Sequence, residues 1–481
     1  MILKVINHDF RFDTEKLCLI FFPYERIKND GEDNIVIITE KQADKLIVSA
    51  KVFDKCLSNS YSLKANDDTA NAMSVLLYNT LSELLGYKPP WGILFGVRPA
   101  KLMHRYCDTL GRQGAIDHFV NSCLVTPQKA QLAYDVMLRE NKIISLSRDN
   151  SFSLYISIPF CPTRCSYCSF VSHSIERTQK LIEPYVDLLC KELNKTGELV
   201  KTLGLRLESV YFGGGTPTTL DSHQLSRLFS AIEKNFDLST LREYTVEAGR
   251  PDTVTKSKLL ALKDAGVTRI SINPQTFNDE VLNAIGRRHT SSQTLEAFNL
   301  ARALGFNNIN MDFIAGLPRD NVESFKNSID TAVSLSAESI TIHTLCLKSG
   351  ANMSSRDLTF DISDRVSASQ MIDYSDLILK NEGYYPYYMY RQSKSVGNLE
   401  NVGWCKNDMD CLYNVFMMDE THSVISVGAG AVTRLKNPKT LHIERIYNYK
   451  YPYEYIDSFD EILSRKKGIV DFYNIQNGIA K

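Results

Sequence analysis

Apolar and polar residues change their rhythm several times along this chain. Up to about residue 60, short stretches such as DNIVIITE and KLIVSAKVF read as strands, interrupted by the polar patch KNDGED. From Thr69 to Leu85 the run TANAMSVLLYNTLSELL spaces its apolar residues three and four apart and stops at Gly86, which predicts a helix. The segment PPWGILFGVRPAKLMHRY then turns and starts another helix, and this small α+β region is expected to end near Asn150. After 151 the pattern becomes apolar strand, loop and amphipathic helix, repeated. Strands are predicted at 153–158, 209–214, 243–248, 268–273, 308–314 and 339–345, separated by helical runs such as LSRLFSAIEKNF. Six β-α units in a row imply an α/β fold with a parallel sheet, either open and doubly wound or a barrel. From 351 the chain is mixed, with the tyrosine-rich run YYPYYMYRQ and the glycine turn VGAGAV, and is expected to form a third, substrate-facing region. The expected domains are therefore 1–150, 151–350 and 351–481.

Composition narrows the setting. A net charge of -1 gives no global field that calls for nucleic acid or an acidic membrane surface. The N-terminal MILKVINHDFRF has no signal-peptide pattern, and no run of 18 apolar residues occurs, so a soluble, cytoplasmic protein without a membrane span is expected. Of the 11 cysteines, eight are irregularly spaced and read as reduced, mostly buried thiols.

The other three carry the chemistry. Cys161, Cys165 and Cys168 lie in YISIPFCPTRCSYCSF with C-x3-C-x2-C spacing, a pattern expected about 0.006 times by chance at this cysteine content. Structural zinc wants four closed ligands, and no second C-x2-C follows. Three thiolates suit a [4Fe-4S] cluster with one iron left open for a small molecule. Tyr167 sets an aromatic ring beside that open corner. After the second strand, YFGGGTPTTL puts three glycines where backbone approaches a ligand closely. It matches neither a P-loop nor G-x-G-x-x-G. Glu247, Gln275 and Asp312 fall on or just after later strands at their carboxyl ends, where barrel chemistry sits. A buried carboxylate is costly unless a ligand or an Arg pairs with it. Gln275 has a second reading, as a cap for the following helix. His343 reads as a packed histidine.

With GGGTP, Glu247, RISINPQTF, AIGRRHT and MDFIAGLP following the cysteines, the chain resembles the radical S-adenosylmethionine (SAM) enzymes of the oxygen-independent coproporphyrinogen III dehydrogenase family. Its length, its N-terminal GVRPAKL and ISIPFCPTRC most resemble the HemZ-type branch. The resemblance implies a partial parallel (β/α)6 barrel. It implies that Cys161, Cys165 and Cys168 bind three irons of the cluster and that one or two SAM molecules are held by Tyr155, Tyr167, Gly214, Gly215, Thr216, Glu247, Gln275, Arg287 and Asp312. Tyr155 is carried over as the tyrosine beside the cofactor. A radical formed by one-electron cleavage of SAM then attacks a propionate of coproporphyrinogen III, which loses CO2 and becomes a vinyl group. A reductant such as flavodoxin or ferredoxin is implied as a partner. Four propionates ask for cations, and Arg164, Arg250 and Arg391 are the candidates. Arg98 and Lys101 of GVRPAKL are placed against the barrel or a partner, or simply at a helix start after Pro99. Two positions depart from the pattern: Ser157 and Phe170 stand where proven dehydrogenases carry a histidine and a fourth cysteine. Sister branches act as heme chaperones or open the heme ring, so a chaperone and a different radical enzyme, such as a methyltransferase, stand beside the dehydrogenase reading.

Overall fold

The computed structural model describes residues 1–96, 98–170, 172–348, 351 and 361–476. The parts of the expected third region at 352–360 and 477–481 lie outside the described residues.

The N-terminal strands β1 (Ile2–Ile6), β2 (Ile35–Lys41), β3 (Lys45–Val52) and β4 (Lys55–Ser62) form a sheet in that order, with β1 and β2 parallel and the rest antiparallel. Alternate residues of β2 and β3, among them Ile37, Leu46 and Val48, point into a core shared with helices α1 (Arg11–Phe21) and α2 (Thr69–Leu85). Helix α2 has the limits its pattern predicts. Asp68 accepts the N–H groups of Ala70 and Asn71, and Gly86, at φ 65°, ends it in the left-handed cap that glycine takes without strain.

The chain then enters one large sheet. Its strands are β5 (Ser151–Ile158), β8 (Arg206–Gly214), β9 (Glu243–Glu247), β10 (Arg269–Ser271), β11 (Ile309–Ala315), β12 (Ser339–Thr344), β13 (Tyr385–Arg391), β14 (Glu400–Cys405), β15 (Ser423–Val427), β16 (Val432–Lys436) and β17 (Ile443–Tyr447). Two short strands, β6 (Phe160–Cys161) and β7 (His173–Ser174), pair separately. The six predicted strands are all present, lie parallel and adjacent in chain order, and form the arc of a partial barrel. The sheet runs from β13 at one edge to β17 at the other and does not close. Helices such as α6 (Ser222–Asn235), α9 (Ser291–Ala303) and α10 (Val322–Ser334) cover the outside of the arc. Each opens on a side chain that accepts a first-turn N–H: Asp221, Thr290 and Asn321.

Two of the expected boundaries move. Helices α3 (Pro99–Asp117) and α4 (Pro127–Ile144) bury Met103, Leu132 and Val136 in the core of the large sheet, so the hydrophobic cores divide near residue 90 rather than 150. The region after 351 is not a separate body. Its strands extend the same sheet at both edges, β14 antiparallel to β12 and β15 parallel to β5. Inside the arc lies helix α12 (Leu412–Asp419), whose Tyr413, Val415 and Phe416 pack with Tyr211, Tyr387 and Tyr388. Tyr387, Tyr388 and Tyr413 of the third region thus fill the barrel interior. Among the described residues no helix is long and apolar enough to cross a membrane.

Candidate active site

The carboxyl ends of the parallel strands open into a cavity of about 400 Å³ lined by Cys161, Cys165, Cys168, Tyr167, Gly214, Gly215, Thr216, Glu247, Gln275, Arg287 and Asp312. Residues that lie up to 151 positions apart in the sequence therefore share one wall.

The cysteine loop is stapled at its base by the β6–β7 pair. Within it, Cys168 N–H returns to Cys165 O at 3.2 Å and Ser166 N–H reaches Ile285 O at 3.0 Å. Arg250 pairs with Asp252 at 3.1 Å and donates to the carbonyl and hydroxyl of Thr163 at 3.2 and 3.1 Å. This arginine lines the cavity, but its guanidinium is engaged in holding the loop. Burial pushes the Cys161 thiol up and the Cys168 thiol up to about 11. Such a thiol becomes thiolate when a metal centre supplies the compensating charge. Among the described residues no three His, Cys, Asp or Glu side chains are grouped to hold a single metal ion. A cubane, in which each thiolate meets its own iron, does not ask for that grouping.

The glycines have a local reason. A Cβ on Gly215 would stand 2.5 Å from Phe160 O and 2.9 Å from Cys161 Sγ, so only glycine lets the end of β8 lie against the cysteine loop. The Gly215 and Thr216 N–H groups donate to Ile158 O and Phe160 O at 2.8 and 2.7 Å. They tie the two loops together and are not left for a ligand. The Thr216 hydroxyl donates to Cys161 Sγ at 3.5 Å.

Two carboxylates line the same cavity. Glu247 accepts the Tyr211 hydroxyl at 2.6 Å, and Asp312 accepts Asn310 Nδ2 at 2.7 Å. Burial first, and then the negative charge of Asp312, raise the Glu247 carboxyl to about 7, against the pull of the Tyr211 hydrogen bond. Neither carboxylate has an arginine or lysine nitrogen within 4.0 Å among the described residues, so each keeps capacity for hydroxyl or ammonium donors of a guest. Arg287 donates to Asn273 O at 2.7 Å and to the Tyr167 hydroxyl at 3.4 Å, while its Nε is buried with no partner. Thiols, free carboxylate oxygens and an unsatisfied guanidinium N–H on one wall are the donor set that an iron-sulfur cluster and a zwitterionic nucleoside sulfonium require.

Gln275 sits at φ 69°, with its N–H on Asp312 O and its own carbonyl accepting Ile314 N–H, so it links β10 to β11. The cap of the following helix α8 (Asp279–Ala284) is Asn278, not Gln275. Tyr155 does not line the cavity. It stands one layer behind, stacked on Tyr211 and Tyr413 with ring centroids 6.2 and 5.8 Å apart. Arg391 is turned away from the cavity: it donates to Leu94 O, Gly96 O and Asn398 O, lies 5.1 Å over the Trp91 ring, and burial lowers its pKa to about 10. Arg164 is exposed on the cysteine loop and does not line the cavity. Ser157 donates to Ala429 O, and Phe170 is 68% exposed.

Sequence reasoning missed several cavity residues. Tyr211, Asn273 and Asn310 share the inward face with Glu247 and Asp312, a placement that strand alternation signals. His343 is not a packed core histidine. It lines the cavity, 4.0 Å from Asp312 and 3.3 Å from the Tyr390 hydroxyl. Asn414 and Met418 come from α12, for which no local signal exists.

A parallel partial barrel with a three-cysteine loop over the mouth of a cavity that carries two carboxylates and an arginine defines a radical SAM enzyme. Residues 155–332 match the model of the Radical SAM superfamily. The chain is 36% identical over 400 residues to the oxygen-independent coproporphyrinogen-III oxidase-like protein HemZ of Bacillus subtilis, covering 82% of this chain and 80% of that protein. It is 39% identical over 197 residues to the heme chaperone HemW of the same organism, covering 41% of this chain and 51% of that one. The solved coproporphyrinogen III oxidase HemN of Escherichia coli shares the fold, with a TM-score of 0.52 at 22% identity over 66% of this chain and 71% of that one. The chain belongs to the HemZ-type branch of the radical SAM, oxygen-independent coproporphyrinogen III oxidase-like family, whose cofactors are a [4Fe-4S] cluster and SAM.

Proposed function

We propose that this protein acts on a tetrapyrrole, converting propionate side chains of coproporphyrinogen III to vinyl groups to give protoporphyrinogen IX. The observation that carries the reading is the convergence of three thiols, a glycine-rich strand end and two uncompensated carboxylates on one cavity. When bound, the reduced cluster and SAM supply a 5'-deoxyadenosyl radical able to take hydrogen from an unactivated carbon. The residues of the chain have the task of holding and orienting. Cys161, Cys165 and Cys168 are the iron ligands. Thr216, hydrogen-bonded to Cys161, and Gly215, pressed against it, fix the loop that presents them. Glu247 and Asp312 accept from hydroxyl or ammonium groups of SAM, and Arg287, with its free Nε–H, donates to a carboxylate. Tyr167, whose hydroxyl Arg287 holds, offers its ring to the adenine. Gln275, wedged between two strands, sets the height of Asp312 through its backbone.

The substrate meets the part of the cavity next to Asp312 that His343, Tyr388, Tyr390, Gln392 and Lys348 line. Lys348 and His343 take over the carboxylate-facing role expected of Arg391. For each side chain converted, one hydrogen atom passes to 5'-deoxyadenosine, one electron to an acceptor, and the carboxylate leaves as CO2. A one-electron donor such as flavodoxin or ferredoxin reduces the cluster. The test is anaerobic reconstitution followed by mass spectrometry of products. With coproporphyrinogen III, vinyl product, CO2 and 5'-deoxyadenosine in equal amounts support the reading. Deoxyadenosine without vinyl product counts against it.

A second reading, heme binding and transfer, is favoured by the 39% identity to a heme chaperone. It predicts tight heme binding that does not require SAM cleavage. A third outcome, altered heme in the same assay, points to another radical reaction on the ring.

A further inference from the structure

The run GVRPAKL contributes none of its described residues to the cavity, yet it grips an element that does. Arg98, at the start of α3, donates through Nη1 to Glu420 Oε2 at 2.5 Å, and Lys101 Nζ donates to Asp419 O at 3.0 Å. Both acceptors close the C-terminal end of α12, where Glu420, at φ 60°, returns its N–H to Phe416 O. The other end of α12 is held by Glu243, whose carboxylate accepts Leu412 N–H at 2.6 Å and Tyr413 N–H at 3.2 Å. An eight-residue helix has little stability of its own. This one is fixed at its N-terminus by Glu243, an anion where the dipole favours one, and at its C-terminus by Arg98 paired with Glu420 and by Lys101 on the Asp419 carbonyl. Glu140, buried on α4, faces the same cations and Asp419. Between its two anchored ends α12 places Asn414 and Met418 in the cavity wall and Tyr413 against the Tyr211 that holds Glu247.

We propose that the start of α3 is a clasp on the substrate pocket: Arg98 and Lys101 fix the C-terminal end of α12, and through it the Asn414–Met418 wall that selects the substrate. They are positioning residues, since neither touches the cavity. The proposal rests on reading the cavity as the tetrapyrrole site.

The test compares reconstituted full-length protein with Arg98→Ala, Arg98→Lys, Glu420→Ala and the Arg98→Ala/Glu420→Ala double variant. Iron content and substrate-free 5'-deoxyadenosine formation stay within about twofold, because Glu243 still holds the N-terminal end of α12, where Tyr413 backs the Tyr211–Glu247 pair. Amide exchange over 412–419 rises about tenfold in Arg98→Ala, as expected for a lost charge-assisted bond, and the double variant adds little further. KM for coproporphyrinogen III, or Kd for heme, rises about tenfold while the maximal rate moves less than threefold, and Arg98→Lys recovers part of the loss. Unchanged exchange over 412–419, or exchange raised across the whole chain with KM and Kd unmoved, overturns the clasp. If wild-type protein neither turns over coproporphyrinogen III nor binds heme, the tetrapyrrole reading fails, and the exchange measurement still decides the clasp.

Discussion

Replacing Tyr211 with Phe removes one hydroxyl and leaves a ring of the same shape in the stack with Tyr155 and Tyr413. What is lost is the 2.6 Å hydrogen bond to Glu247. A hydrogen bond to an ionised group contributes about 1.5 to 3 kcal/mol. At about 1.4 kcal/mol per pH unit, its loss lifts the Glu247 carboxyl by about one to two units from its value of about 7. The other groups acting on Glu247, the Asp312 charge that raises its pKa and the Arg269 charge that lowers it, stay in place. Ionised Glu247 is the strong, charge-assisted acceptor for the ammonium of SAM. A raised pKa therefore weakens binding below the new value and leaves it unaffected above. At pH 7 the ionised fraction falls from about one half to between about one tenth and one hundredth, so affinity drops about five- to fiftyfold. Near pH 10 the two proteins converge. Equilibrium dialysis of SAM against the anaerobic holoprotein from pH 6 to 10 measures this, with Glu247→Gln as the control that removes the step. Parallel profiles for wild type and Tyr211→Phe, or equal affinity at pH 7, refute the reasoning.

Three further outcomes follow from the same geometry. Gly215→Ala drives a Cβ into Phe160 O and Cys161 Sγ, so reconstituted protein should hold less than half the wild-type iron while its far-ultraviolet circular dichroism stays native. Arg391→Met leaves the carbonyls of Leu94, Gly96 and Asn398 without their donor and should cost about 3 kcal/mol in denaturant unfolding, with cluster content and SAM cleavage preserved. Lys129→Met strands Glu400 and Asp376, which the buried ammonium neutralises at 2.6 and 3.0 Å, and should cost about 3 to 5 kcal/mol; restoring stability with Glu400→Gln in the same protein checks the pairing.

How legible each feature was depends on whether its cause is local. The six strands and α2 announce themselves because alternation and capping are local: Asp68 and Gly86 bound α2 in sequence as they do in space. Tyr167 is next to Cys168 and two residues from Cys165, so its place on the cavity follows from the cysteine motif itself. Helix α12 was not, because eight residues with a buried Tyr413 and Phe416 look the same whether they lie outside a sheet or within an arc. Its place is fixed by Glu243, 169 positions from Leu412. Arg391 misled for the same reason. Its neighbours in sequence are cavity tyrosines, but its acceptors come from the loop 94–96, to which only the folded chain brings it. Tyr155 alternates correctly onto the inner face, and Tyr211 and Tyr413 then cover it.

The central claim is that three thiols hold a cluster with one iron open to SAM. Anaerobically reconstituted protein, reduced with dithionite and given SAM alone, should release 5'-deoxyadenosine and methionine in equal amounts, and Ser in place of Cys161, Cys165 or Cys168 should abolish that release. A protein that holds about four irons yet forms no deoxyadenosine, or one that still forms it after any of the three cysteines is replaced, contradicts the account.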